Sequence, residues 1–215
     1  MLAAATSALS ALPALAQGSV AAATKASAAG NKRVLVVGDS LSAEYGLARG
    51  SGWVALLEQT LAREKLAWTV VNASISGDTT SGGRSRLPAL LAQHRPAVVV
   101  IALGGNDALR GLPLKMTQDN LQAMTRACKA AGAKVLIAGI AVPPNYGRSY
   151  NENLVALFGV VAKAEGTALL PFLLAGVADV PEADELFQAD RIHPNAKAHP
   201  RILANVWPLL KPLLK

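Results

Sequence analysis

Short apolar runs alternate with longer segments of helical period from Arg33 to the end of the chain. The short runs are rich in β-branched residues, which favours strands, whereas the longer segments place apolar residues three and four positions apart, which favours helices. This alternation predicts an α/β fold in which helices cover both faces of a parallel sheet of about five strands. The predicted strands are residues 34–37, 69–72, 98–103, 134–139 and the weaker 167–172.

The segments between these strands predict the helices. They cover residues 53–65, 117–132 and 151–166, another helix ends at His94, and a last one begins near Asn195. Pro200 and Pro208 are expected to bend the last helix, because proline cannot donate a backbone hydrogen bond. The run VVVIAL, 98–103, does not alternate between polar and apolar residues, which predicts a central strand buried on both faces.

Polar or small residues follow most of the predicted strands. They are Gly38-Asp39-Ser40, residues 72–80, residues 104–111 and, after a longer loop, residues 190–195. In an open parallel sheet, sites form beyond the carboxyl ends of the strands. The sequence therefore predicts that these segments meet at one edge of the sheet.

Composition bounds the class of protein. The chain has 215 residues, of which 52% are hydrophobic and 16% charged, so it can bury a sizeable core and is not a disordered chain. The net charge of +7 would attract anionic groups, but the basic residues are scattered and aromatic residues make up only 4%. We therefore predict no nucleic-acid binding. The single cysteine, Cys128, lies on the apolar stripe of a predicted helix and is expected in the core.

The first residues differ from the rest of the chain. Residues 1–16 are uncharged, rich in Ala and Leu, and end in an Ala-x-Ala pattern, which is typical of a signal segment although a basic start is missing. Residues 17–32 are typical of a flexible linker. We therefore predict a periplasmic or secreted protein rather than one with a disordered cytosolic tail, with a single domain over 33–215.

Ser40 has two interpretations. It can be a helix N-cap, or it can be a nucleophile held at the end of a strand. A serine nucleophile needs a base, and the sequence has three histidines. Asp190 precedes His193 by three residues, and in a turn this spacing can bring the carboxylate to Nδ1 while Nε2 stays free to take a proton. For His94 we expect a helix-capping role, and for His199 a surface role.

Acyl transfer also needs N–H donors for an oxyanion. Ser40 has its own backbone N–H, Gly77 lacks a Cβ and allows close approach, and Asn106 offers side-chain N–H groups beside two glycines. Each of these residues also fits an ordinary turn. Their succession after different strands favours a site. The sequence lacks a Gly-x-Ser-x-Gly elbow, a Ser-x-x-Lys motif, a Walker A motif and zinc-ligand spacing.

Four motif blocks resemble, in residue type and order, those of the SGNH (GDSL-type) hydrolases. They are Gly38-Asp39-Ser40-Leu41, Gly77, Gly104-Gly105-Asn106-Asp107 and Asp190-x-x-His193. The resemblance implies a flavodoxin-like, three-layer α/β/α fold. It implies Ser40 as nucleophile and His193 as base, oriented by Asp190. It also implies an oxyanion hole formed by Ser40, Gly77 and Asn106.

Longer stretches, among them NASISGDT, RLPALL and PPNYG, are similar to a bacterial subgroup of esterases, thioesterases and lysophospholipases. Glu44 departs from the small residue expected there, which leaves the shape and polarity of the site entrance open but does not affect the expected chemistry. The segment 141–151 follows the fourth strand, and Val142, Pro143 and Tyr146 are expected to present apolar surface. The resemblance implies that this segment borders an acyl-chain groove; the alternative is a rigid loop over the core.

These observations predict a serine ester hydrolase that uses no metal and no cofactor. Its expected substrates are fatty acyl esters, thioesters or lysophospholipids, which would allow transient contact with a membrane surface. A carbohydrate O-deacetylase is the alternative among enzymes. A non-catalytic binding domain on the same fold is the alternative outside enzymes.

Overall fold

Residues 32–215 form an α/β fold around a parallel sheet with strand order β2-β1-β3-β4-β5. The structure is a computed structural model that describes Met1 and residues 32–215. The predicted signal-like segment 1–16 and linker 17–32 therefore lie, except for Met1 and Lys32, outside the described residues. The strands are β1 (Arg33–Gly38), β2 (Thr69–Asn72), β3 (Val98–Ala102), β4 (Lys134–Ala138) and β5 (Ala168–Leu170). All five agree with the predicted runs.

The helices lie between the strands, as the sequence predicted. They are α1 (Trp53–Arg63), α2 (Thr80–His94), α3 (Gly105–Leu109), α4 (Leu114–Ala130), α5 (Arg148–Glu165) and α6 (His199–Leu210). The last helix begins at His199 and not near Asn195, because residues 186–195 form a closed loop instead. Short α3 was missed, since its glycine-rich sequence is equally typical of a turn.

The sheet is buried at its centre and half-covered at its edges. Every residue of β3 is buried, which confirms it as a central strand, whereas the edge strand β2 is only partly covered. Helices α1 and α6 pack together against one face, and α2, α4 and α5 pack in sequence against the other. The result is a three-layer α/β/α arrangement with the flavodoxin-like strand order. Among the helices of residues 32–215, none combines the length and apolar character needed to cross a membrane.

The register of the central strands positions the site. Gly38 at the end of β1 pairs with Ala102 at the end of β3, so the loops after these two strands leave the sheet side by side. Asp39 and Ser40 follow the first of these strands, and Gly104, Gly105 and Asn106 follow the second. The topology thus brings together two segments that lie far apart in the sequence.

Candidate active site

Ser40, His193 and Asp190 form a continuous hydrogen-bonded chain at the carboxyl edge of the sheet. Ser40 Oγ lies 2.9 Å from His193 Nε2, across 153 positions of sequence. His193 Nδ1 lies 2.7 Å from Asp190 Oδ2. A carboxylate on Nδ1 fixes the imidazole tautomer that leaves Nε2 able to accept a proton from the hydroxyl. The structure therefore brings together the three residues that the sequence singled out for nucleophilic chemistry.

The turn that carries Asp190 and His193 is fixed by the Asp190 carboxylate. Its Oδ1 accepts hydrogen bonds from the backbone N–H groups of Ile192 and His193, both at 3.0 Å. Partial desolvation raises the pKa of Asp190, but the N–H groups of His193 and Ile192 and the His193 side chain outweigh it and lower the pKa from 3.8 to about 2. Asp190 therefore stays ionised at any pH at which the enzyme would work, and it can support a positive imidazolium.

Asp39, and not Ser40, provides the capping hydrogen bonds after β1. Asp39 Oδ1 accepts from the N–H of Leu41 at 3.0 Å, and its backbone carbonyl accepts from the N–H groups of Ser42 and Ala43. The interpretation of Ser40 as the N-cap is therefore wrong, because the capping side chain belongs to Asp39. Because Asp39 stabilises the turn, the Ser40 hydroxyl is free to bond His193.

Gly77 lies on the loop before α2, and Asn106 lies in the first turn of α3, next to Asp39. Gly77 has φ +77°, a conformation that glycine adopts without strain. Asn106 stands in the first turn of α3, and its Nδ2 donates to the Asp78 carbonyl at 3.0 Å and towards Asp39 Oδ2 at 3.3 Å. Arg110 donates to the Gly77 carbonyl at 2.8 Å. These contacts hold Gly77 and Asn106 on adjoining segments.

Asp107 supports the two segments of the candidate site, a role that the sequence did not reveal. It is fully buried, and its carboxylate accepts from the Thr80 backbone N–H at 2.9 Å, from the Thr80 hydroxyl, and from Thr117 Oγ1 at 3.3 Å. Thr80 begins α2, three residues after Gly77. Asp107 therefore fastens the loop of Gly77 to the loop of Asn106. The available signal in the sequence was that two polar residues, Asn106 and Asp107, follow a buried strand.

Asp39 is the buried carboxyl of the site. It is 4% exposed, and burial raises its pKa from 3.8 to about 6, against the lowering effects of the Leu41 N–H and the charge of His193. The like charge of Asp78 adds to the increase. The structure thus places a carboxyl that is costly to ionise directly before Ser40.

The other two histidines lie away from Ser40. His94 is the last residue of α2, and its carbonyl accepts from Arg33, which places it at the opposite edge of the sheet as predicted. The surface role expected for His199 is wrong. His199 is 2% exposed, and its Nδ1 accepts from the Trp53 N–H at 2.9 Å, at the first residue of α1. It therefore caps α1 from inside the core.

The Glu44 carboxylate bonds the backbone of the loop that leads into α1. Its backbone has φ +60°, and its carboxylate accepts from the N–H groups of Gly50 at 3.0 Å and Gly52 at 2.8 Å. The acidic side chain is thus committed to closing the loop that leads into α1. The half-buried Glu44 side chain packs against Gly52, where the absence of a Cβ leaves room for it.

The predicted substrate-binding residues have different surroundings. Val142 is 6% exposed and belongs to the core, which corrects the expectation that it presents apolar surface. Its backbone N–H donates to Asn151 Oδ1 at 3.0 Å, which anchors the loop. Pro143 is exposed, and Tyr146 is 39% exposed. Only Pro143 and Tyr146 are therefore available to a ligand.

A flavodoxin-like sheet with a serine, a histidine and a carboxylate linked at its carboxyl edge defines a serine ester hydrolase. The sequence matches the GDSL-like Lipase/Acylhydrolase family over residues 36–201. The chain therefore belongs to this family.

Named relatives agree with this membership. The chain is 56% identical over 181 residues to Esterase TesA of Pseudomonas aeruginosa, an alignment that covers 84% of this chain and 89% of the relative. It is 43% identical over 187 residues to Thioesterase 1/protease 1/lysophospholipase L1 of Escherichia coli K12, covering 87% of each. A crystal structure of TesA superposes with a TM-score of 0.81 at 56% identity, covering 84% of this chain and 99% of that one. Relatives of this similarity confirm the fold and the hydrolase class.

Proposed function

We propose that this hydrolase cleaves fatty acyl esters, acyl thioesters and lysophospholipids through an acyl-enzyme on Ser40. The observation that carries the proposal is the 2.9 Å hydrogen bond between Ser40 Oγ and His193 Nε2, continued to Asp190 at 2.7 Å. The substrate classes are supported by the names of the similar proteins, an esterase and a thioesterase that is also a lysophospholipase. The remaining steps follow from the chemistry of these side chains.

In the first half-reaction, Ser40 Oγ attacks the carbonyl carbon while His193 Nε2 takes the hydroxyl proton. The tetrahedral intermediate carries a negative oxygen, and the leaving alcohol or thiol departs with the proton from His193. In the second half-reaction, His193 takes a proton from the water that attacks the acyl-enzyme carbonyl; the ester bond to Ser40 then breaks, His193 returns the proton to Ser40 Oγ, and the fatty acid is released. Asp190 stabilises the imidazolium in both halves without changing its own charge.

The negative oxygen of each intermediate needs preorganised donors. We assign this role to the backbone N–H groups of Ser40 and Gly77 and to Asn106 Nδ2. In the free enzyme, Asn106 Nδ2 donates to the Asp78 carbonyl at 3.0 Å and to Asp39 Oδ2 at 3.3 Å. The longer contact is the one that an oxyanion would replace or share.

Exposed apolar side chains flank the site residues. Tyr45, Ile75 and Ile192 are each about half exposed, and each lies within a few positions of Ser40, Gly77 or His193. Such side chains on a rim favour contact with an acyl chain or with the surface of a lipid aggregate. We propose that Tyr146 and Pro143 extend this surface as the wall for the chain, with Val142 supporting them from the core.

A chain-length series tests the acyl preference. The measurement is kcat/KM for two-, six- and twelve-carbon acyl esters of one phenol, below the micelle concentration. Each buried methylene contributes about 0.8 kcal/mol, so six further carbons in contact with protein should favour long chains by several kcal/mol. Tyr146→Ser should reduce this preference selectively. Val160→Ser is the control, because Val160 is also an exposed apolar residue but lies in the second half of α5, away from this loop.

Two results would contradict the fatty acyl assignment. A wild-type preference for acetate would favour a carbohydrate O-deacetylase, since the same catalytic residues serve short acyl groups. An equal decrease for all three esters in Tyr146→Ser would show that the loop supports the fold without contacting the chain.

We also propose that the protein acts outside the cytoplasm. The support is the composition of residues 1–16, which is typical of a secretory signal. Fractionation of cells that express the full chain, and a chain lacking residues 2–16, tests this. We expect export of the first and retention of the second. Equal retention of both would overturn the proposal and leave the enzymatic assignment intact.

A further inference from the structure

The nucleophile and its base are carried by two loops that are remote in sequence. Ser40 lies on residues 39–46, after β1, and His193 lies on residues 186–195, after β5. Within the described part of the chain, one hydrogen bond besides Ser40–His193 joins these two loops. It runs from Gln188 Nε2 to the Tyr45 carbonyl at 2.9 Å, across 143 positions.

Gln188 is also fixed on its own loop. Its backbone N–H donates to the His193 carbonyl at 2.8 Å, and its Nε2 donates to the Pro194 carbonyl at 3.1 Å. Both side-chain N–H groups are therefore used, one on each loop. The side-chain amide of Gln188 therefore joins Pro194, the residue after the base, to Tyr45 on the other loop.

The packing around this amide is close. Gly46 has φ +69°, and a Cβ at this position would overlap the Gln188 side chain. Tyr45 lies with its ring centroid 4.3 Å from that of His193, tilted by 37°. The backbone of Tyr45 is thus bonded to Gln188 while its ring contacts the base.

Residues 186–195, the loop that carries His193, are cross-linked by further hydrogen bonds. Asn195 Nδ2 donates to the carbonyls of Glu185 and Phe187 at 2.8 and 3.1 Å, and its N–H donates to the Leu186 carbonyl. Phe187 and Pro194 form an antiparallel bridge. A shift of Gln188 relative to Tyr45 would therefore move His193 relative to Ser40.

We propose that Gln188 is a positioning residue of the reaction, whose side-chain amide sets the alignment of His193 Nε2 with Ser40 Oγ. The inference rests on the proposed function of these two residues. Gln188 touches neither reacting atom, so it acts through the two loops. Misplacement of reacting groups by about 1 Å can lower a rate about 10²-fold, so the loss of one such bond should be visible in kcat.

Two substitutions at Gln188 distinguish the effect of its side-chain hydrogen bonds from the effect of its side-chain volume. Gln188→Met retains the length and bulk of the side chain but removes both N–H groups. Gln188→Glu retains the shape but directs a carboxylate at the two carbonyl oxygens. Gln122→Met is the control, because the Gln122 side-chain amide likewise joins two separate elements: its Nε2 donates to Glu165 Oε1 at 2.8 Å, between α4 and α5.

The readout must distinguish positioning from folding. Titration with a fluorophosphonate counts the competent sites in each preparation, and kcat is then expressed per titrated site. We expect both Gln188 variants to lose at least about tenfold in kcat per site and in the rate of phosphonylation, with KM within about twofold of wild type. Gln122→Met should match wild type in each quantity.

A fall of less than threefold in kcat per site for both Gln188 variants would overturn the inference, even if fewer sites titrate, because that pattern means a structural role. A change confined to KM would also overturn it, since Gln188 would then act on substrate binding. Failure of wild type itself to react with the fluorophosphonate would instead contradict the proposed function.

Discussion

Asn106 Nδ2 lies 3.3 Å from the Asp39 carboxylate, so the proposed oxyanion donor and the residue before the nucleophile share a hydrogen bond. The carboxyl is buried and the amide is half-buried. An ionised Asp39 is the better acceptor for Asn106, whereas a protonated Asp39 is the cheaper group to bury. The orientation of Asn106 therefore favours the ionised form of Asp39, whereas the stability of the fold favours the protonated form.

Asp39→Asn should increase stability at neutral pH. Unfolded Asp39 loses its proton near 3.8, but burial raises the folded pKa to about 6, so wild-type stability falls as the pH rises between these values and the full cost is present above them. A pKa increase of this size corresponds to a loss of about 3 kcal/mol in the free energy of unfolding when Asp39 is ionised. Urea unfolding from pH 4 to 7.5 should show the advantage of Asp39→Asn growing up to about pH 6 and then staying constant.

Asp119→Asn is the control for that experiment, because Asp119 is half-exposed on α4 and paired with Lys115. An advantage of Asp39→Asn that did not change with pH would show that ionisation of Asp39 carries no such cost. The same variant should lose activity, because its own amide N–H groups would face those of Asn106.

Asn106→Ala should lower kcat with a smaller change in KM. Loss of one oxyanion donor in other hydrolases costs about 10²–10³ in kcat, or about 2.7–4 kcal/mol. Steady-state kinetics on a six-carbon ester tests this. A variant that raised KM and left kcat unchanged would show that Asn106 binds ground-state substrate.

His199→Asn should change the dependence of stability on pH. Burial lowers the pKa of His199, against raising effects of the Pro194 backbone and Glu44. An unfolded histidine takes up a proton near pH 6.5, so wild-type stability contributed by neutral His199 is lost as the pH falls through that value. Unfolding experiments should therefore show wild type losing more stability than His199→Asn between pH 7.5 and 5.

His94→Asn is the control, since His94 lies at the exposed end of α2. A difference between wild type and His199→Asn that stayed constant over this range would contradict a buried neutral imidazole. Activity per titrated site should be the same in all three proteins, because neither histidine contacts the reacting groups.

The strands and the proposed catalytic residues could be predicted because their signals are local. A run such as VVVIAL at 98–103 is buried on both faces wherever it occurs in a parallel sheet, and its register with β1 then brings the following loops together. The Asp190-x-x-His193 spacing encodes its own turn, since the carboxylate bonds the N–H groups within three residues. Such features need little information from the rest of the chain.

The features that escaped prediction depend on partners far along the chain. His199 is buried because it meets Trp53, 146 positions away, and Gln188 joins Tyr45 across 143. Val142 was expected at the surface because its neighbours are loop residues, but its side chain packs into the core. Helical periodicity and turn propensity carry no information about such long-range contacts, because these depend on tertiary packing.

The central claim is that Ser40 is the nucleophile. The most direct measurement is kcat of purified Ser40→Ala on a six-carbon acyl ester, with circular dichroism to show that the fold is retained and a fluorophosphonate to show that labelling is lost. We expect a decrease of roughly 10⁴-fold or more, as for removal of a triad serine in other hydrolases. A folded Ser40→Ala protein that kept more than about a hundredth of the wild-type kcat would contradict the assignment.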